Sequence, residues 1–237
     1  MGTKIAVPLR RRSEPLRPFL MIRSLTMFSA SRLAAFTASL LMSTSLSIFA
    51  QPVEKMARIE LAGKTSQPVE FEIDKVSDDA RSSVSGWAKK AEDERRFFTL
   101  EFPADRDWRE GSVTFKALQT GRAALVLMGP YVLVDDGTKE LKPVFIEFDD
   151  FTSEEIPLQN GSFEDVLISG AVNGWSRSTN ENSNPPIDET SIAQPVSGDA
   201  PDGAKHVRVW HNSNFAQTFP VTEGQLVTVK FYYRLGL

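Results

Sequence analysis

Nine short runs of alternating or wholly apolar residues, each closed by turn formers, commit this chain to β-sheet. They cover 57–61, 69–73, 97–102, 111–117, 123–128, 144–148, 207–210, 215–221 and 226–235. The last is the clearest. Val227, Val229, Phe231, Tyr233 and Leu235 fall on one side of a strand, and Thr228, Lys230, Tyr232 and Arg234 on the other. Strands this short and numerous predict an all-β antiparallel β-sandwich or jelly roll. Asp135-Asp136-Gly137-Thr138 reads as a hairpin turn. Two segments break the rhythm. Residues 82–96, with Ala88-Lys89-Lys90-Ala91-Glu92-Asp93-Glu94-Arg95-Arg96, read as a short surface helix or a solvated connection. Residues 172–204 are rich in Asn, Ser, Pro, Asp and Gly, and read as a long surface loop, either a ligand-site rim or an insertion.

The chain has no cysteine, so its hydrophobic core must hold it without disulfides. Its N-terminus has a different character. Lys4, Arg10, Arg11, Arg12, Arg17, Arg23 and Arg32 face one acid, Glu14, and an apolar stretch softened by Ser and Thr follows up to Ser47-Ile48-Phe49-Ala50. This reads as a secretory signal peptide cleaved near Ala50, with Met21 or Met27 as alternative starts. The alternative is a membrane anchor, for which a short stretch with several hydroxyls is poorly suited. The expected plan is a leader over 1–50 and a single exported sandwich domain over 51–237, periplasmic, cell-surface or secreted, with no stable membrane span after cleavage. Of 27 bases and 31 acids, the leader takes seven and one, which leaves the rest near −10. So acidic a domain repels phosphate backbones, which argues against nucleic acid as a partner.

The strand faces suggest a ligand surface. Val207 and Val209 form the apolar side of their strand, with His206, Arg208 and Trp210 opposite. Sugars offer apolar C–H patches on which rings stack, and hydroxyls that Arg, Asn, Gln or His can bond. Arg208, Trp210, Tyr232 and Arg234 fit that role, with His211, Asn212 and Asn214 as a rim and Trp175 as a loop-borne stacking platform. The competing reading has Trp210 and Tyr232 capping the edge of the sandwich or packing under the long loop, and Trp108 and Trp175 serving as buried anchors.

Several motifs resemble the carbohydrate-binding modules of the galactose-binding-like β-sandwich superfamily. They are Asn160-Gly161-Ser162-Phe163-Glu164, the Gly174-Trp175 pair, the turn Gln217-Thr218-Phe219-Pro220-Val221-Thr222-Glu223-Gly224-Gln225, and the strand ending Phe231-Tyr232-Tyr233-Arg234. Residues 57–155, with Trp108 to Phe115 and Ile146-Glu147-Phe148-Asp149-Asp150-Phe151, resemble the closing half of such a module, and 156–237 the opening half. The halves therefore stand in swapped order. One circularly permuted sandwich accounts for this. The tail of one module followed by the head of another also would, but half a core cannot offset chain entropy. The resemblance implies a polysaccharide or glycan partner. It also implies a structural Ca²⁺ held by Asp149, Asp150, Asn160 and Glu164, oxygen ligands of the right hardness but without a D-x-D-x-D-G loop; simple surface acids are the alternative.

Catalytic signals are sparse. His206 and His211 are the only histidines, thiol chemistry is absent, and no G-x-S-x-G elbow occurs. The expectation is a non-catalytic carbohydrate-binding protein. Alternatives are an envelope structural or interaction protein without sugar affinity, and a polysaccharide-acting hydrolase or lyase with an unmarked carboxylate pair.

Overall fold

The computed structural model describes residues 55–63, 70–77, 80–87 and 95–236. The expected leader over 1–50 lies outside them. The period-two runs become twelve strands: β1 Met56–Gly63, β2 Phe71–Val76, β3 Arg81–Trp87, β4 Arg95–Pro103, β5 Arg109–Ala117, β6 Gly121–Met128, β7 Ile146–Thr152, β8 Ser176–Thr179, β9 Gln194–Ser197, β10 Lys205–Val209, β11 Ser213–Val221 and β12 Leu226–Leu235. They form two six-stranded antiparallel sheets, in the order β3-β4-β1-β6-β11-β8 and β2-β5-β12-β7-β10-β9. The sheets pack face to face as a β-sandwich. Among the described residues, no helix is long and apolar enough to cross a membrane.

Each sheet mixes strands from both halves of the sequence. In the first, β11 pairs with β6, and in the second, β12 lies between β5 and β7. Ile59 and Leu61 of β1 and Val227, Val229 and Phe231 of β12 belong to one buried cluster. Phe231 is its hub. Its ring stacks on Phe151 (5.1 Å between centroids, 11° between planes) and meets Phe102 edge-on (5.1 Å, 87°). Gly111 sits beneath that ring, where an added Cβ would come within 2.6 Å of it.

Strand β7 carries a bulge. Its register with β12 shifts between Lys230 and Tyr232, and Asp150 takes φ +48°. One extra residue reverses the alternation, so Phe148 and Phe151 both reach the core while Glu147 and Asp149 turn to the other face. The Asn160–Glu164 motif locks onto this bulge. Asn160 adopts φ +47° and its Oδ1 accepts from the amide of Asp165. The Phe151 amide donates to the carbonyl of Gly161, where any Cβ would collide with the Phe151 carbonyl. Phe163 then drops fully into the core.

Two expectations about irregular segments are corrected. Residues 82–87 and 95–96 are strand, not helix, with β3 paired to β4 from Arg81–Glu101 to Trp87–Arg95; 88–94 lie outside the described residues. Residues 172–204 are not all loop, because β8 and β9 emerge from them as the outer strands of the two sheets. Both are only four residues long and polar, so alternation gave no signal. The Asp135–Thr138 turn closes a small hairpin bridged at Leu133–Leu141, with Asp136 Oδ1 accepting from the amide and hydroxyl of Thr138.

Truncating the hub tests this packing. Phe231→Ala should cost about 3–5 kcal/mol in chemical denaturation. Lys230→Ala, one residue away on the exposed face, should stay within about 0.5 kcal/mol of the parent.

Candidate functional site

The outer face of the second sheet gathers the polar side chains. From β12 come Thr228, Lys230, Tyr232 and Arg234, and from β5 come Glu110, Ser112 and Thr114. Strand β7 adds Glu147 and Asp149, and β10 adds His206 and Arg208. The registers place Tyr232 between Glu110 and Asp149, and Arg234 beside Glu147.

At the Arg234 end this face is roofed. Arg234 Nε donates to Glu147 Oε2 at 2.6 Å, and His206 Nε2 lies 3.3 Å from the same oxygen. Trp108 covers the group, with the Arg234 guanidinium 4.3 Å above its ring and the His206 ring edge-to-face with it, 5.4 Å between centroids. The loop between β9 and β10 folds back across the sheet. Asp199 Oδ2 accepts from Arg234 at 2.8 Å, and the Asp199 carbonyl accepts from Trp108 Nε1 at 3.1 Å. Burial works to raise the Glu147 carboxyl, but His206 and Arg234 outweigh it and hold the group below its ordinary range.

The expected sugar-stacking residues separate. Trp210 is fully buried, with no exposed surface and its Nε1 without a partner. Strand β10 ends at Val209, and Trp210 and Ser213 exchange backbone hydrogen bonds in the turn to β11. Alternation stops there, and the ring is buried outside the core cluster to which Val207 and Val209 belong. Trp175 is also buried, its Nε1 donating to the carbonyls of Gln159 and Asn160 and its ring packed on Phe151 and Phe163. In this geometry neither tryptophan offers a ring face to solvent. Tyr232 and Arg234 do share the outer face, and Tyr232 stays half-exposed. Arg208 stacks on Phe145 at 4.7 Å and donates to the Thr190 carbonyl.

The intended rim lies elsewhere. Asn212 is buried and its side chain donates to Ser183 at 2.7 Å. Asn214 is on β11, in the first sheet. His211 packs edge-on against Tyr131, 4.9 Å between centroids. Burial, reinforced by Arg58 and only partly offset by a hydrogen bond involving Gly129, lowers the His211 pKa to about 4.

The four residues expected to hold calcium do not converge on one point. Glu164 Oε1 accepts from the amides of Ala204 and Lys205, and the Lys205 ammonium lies 2.9 Å from the Glu164 carbonyl. Asn160 is engaged with Asp165 and Asn173. Asp149 Oδ2 accepts from the Asp202 amide at 3.0 Å, and Oδ1 is buried without a partner. Among the described residues no group of three or more His, Cys, Asp or Glu is placed to hold a metal.

Beyond Tyr232 the face opens into a cleft of about 390 Å³ lined by Thr152, Ser153, Glu154, Glu155, Thr228 and Lys230. Glu155 Oε2 is fixed there by the Thr228 amide (3.1 Å) and the Ser153 hydroxyl (3.0 Å), contacts that hold its carboxyl below the ordinary range. Sequence reading did not single out this cleft or the roofing role of Trp108. Alternation along β12 turns Lys230 and Thr228 outward, but Ser153 to Glu155 lie past the end of β7, where periodicity is silent. Comparison with known protein families, with curated proteins and with solved structures finds no match.

Asp149 yields a pH prediction. Burial, opposed by hydrogen bonds from Asp202 and Asp150, raises its pKa to about 6. Its folded value exceeds the ordinary 3.8, so the fold is favoured while the group is neutral and loses stability as pH rises through about 6. Asp149→Asn should therefore be more stable than the parent by about 1–3 kcal/mol at pH 7.5 in a chelating buffer, the gain vanishing near pH 4. Denaturant titrations at a series of pH values measure this; an equal difference at all pH values would contradict it.

Proposed function

We propose that this protein is an exported, non-catalytic carbohydrate-binding sandwich of the galactose-binding-like jelly-roll type, its closing half preceding its opening half. The ligand surface is the outer face of the second sheet. The observation that carries this reading is the half-exposed Tyr232 beside a hydroxyl-lined cleft. Tyr232 and Lys230 project from the same face of β12 roughly 7 Å apart. One ring can therefore pack on a pyranose while Thr152, Ser153 and Thr228 bond its hydroxyls. Arg234 is held by Glu147, Asp199 and Trp108 at one end of this surface, which suits a positioning role more than free contact with ligand. Calcium enters the reading as a structural ion only with a rearrangement that frees Glu164 from Lys205. Melting curves with and without added calcium report on it.

The burial of Trp210 and Trp175 favours a second reading, an envelope scaffold or interaction protein without sugar affinity. The two separate on a glycan array followed by affinity electrophoresis of the purified protein. The carbohydrate reading expects retention by at least one polysaccharide, and a loss of about tenfold or more in Tyr232→Ala with an unchanged melting temperature. No retention by any glycan, or retention untouched by Tyr232→Ala, would favour the scaffold.

A further inference from the structure

Charge on the outer face of the second sheet is unevenly distributed once existing contacts are subtracted. Arg234 is engaged by Glu147 and Asp199. Arg208 is engaged by the Thr190 carbonyl and the Phe145 ring. Lys116 stands directly opposite Glu72. Lys230 and Lys75, the latter opposite Thr114 on the same face, remain as exposed cations with no ion pair among the described residues. Against them stand the Glu110, Asp150 and Glu154 carboxylates, which also have no ion pair among the described residues.

Two acids flank Tyr232. Glu110 is its cross-strand neighbour on β5 and Asp149 its neighbour on β7. Side chains so paired lie within about 5 Å at their Cβ atoms. Asp150 sits at the bulge that follows. Asp149, fully buried beside it, leaves Oδ1 without a partner. Glu154 enters the adjoining cleft, whose Glu155 is kept ionised by Thr228 and Ser153.

We infer that the Tyr232 face selects glycans bearing primary ammonium groups, that is, unacetylated amino sugars, over neutral and acidic ones. This rests on the carbohydrate reading of the same surface and adds the ligand's charge to it. The ring face of Tyr232 attracts a cation through its quadrupole. Glu110 supplies countercharge beside the ring and Glu154 within the cleft, where the hydroxyls of Thr152, Ser153 and Thr228 bond the sugar's own. Uronates and sulfated sugars meet the same carboxylates as repulsion, and the arginines that would bind them are engaged within the fold. A basic peptide would satisfy the carboxylates but leave the hydroxyl-lined cleft without its partners, so the saccharide is favoured.

Calorimetric titration of the full protein at about pH 5.5 tests this, with oligomers of equal length: β-1,4-linked glucosamine, its N-acetylated form, galacturonate and a lysine peptide. The expected result is glucosamine bound at least tenfold more tightly than the other three, with affinity falling as salt rises. The double variant Glu110→Gln/Glu154→Gln should lose at least tenfold. Lys230→Ala should bind glucosamine two- to fivefold more tightly, because it removes a like charge. Equal or better binding of the N-acetylated oligomer or galacturonate, or weaker binding by Lys230→Ala, would overturn the ammonium preference while leaving the carbohydrate reading in place. The lysine peptide binding as well as glucosamine would overturn the saccharide assignment. No binding of any glycan, here or on the array, would remove both.

Discussion

The contact between Phe231 and the rings around it holds the two sheets, and the two halves of the sequence, in one interior. Phe231 comes from the last strand, Phe102 from β4 and Phe151 from the bulged strand β7. A side chain lost here removes contacts from both sheets at once, because interiors this dense relax little around a void. Gly111 leaves the space the ring requires. Without a disulfide to close any loop, this aromatic cluster and its aliphatic neighbours must offset the conformational entropy of the chain.

The same core fixes the outer face. Phe231 and Tyr233 point inward on β12, so Lys230, Tyr232 and Arg234 must point outward, and the bulge at Asp150 sends Glu147 and Asp149 to join them. Their fates differ by position. At the Arg234 end, Trp108 and Asp199 close a network in which opposite charges satisfy one another. Beyond it the surface is open, with Glu110 and Asp149 beside Tyr232 and the lysines Lys75, Lys116 and Lys230 farther along the strands. The proposed ligand preference follows from that division: the interior of the network is structural, and its unbalanced margin is available for recognition.

Much of the scaffold was legible in the sequence. Strand β12 was readable along most of its length: of the inward set, Val227, Val229, Phe231 and Tyr233 are fully buried and Leu235, at its end, is partly so. Alternation reports which side of a strand a residue takes. It does not report whether another segment covers that side, so His206, assigned to the outer face, lies buried under Trp108. It is also silent one residue past a strand end, where Trp210 is buried and the reading between stacking surface and covered edge stayed open. Strands β8 and β9 escaped notice because short polar outer strands have no buried face to pattern. Tyr131, half-exposed against His211, sits in a loop where no period exists to read.

A double-mutant cycle on Phe102 and Phe231 addresses the central claim most directly. If the two halves of the sequence share one interior, Phe102→Ala and Phe231→Ala should be non-additive, with a coupling of about 0.5–1.5 kcal/mol in equilibrium unfolding through a single transition. Strictly additive losses, or two separate unfolding transitions each sensitive to only one of the substitutions, would mean that the two halves do not share a core.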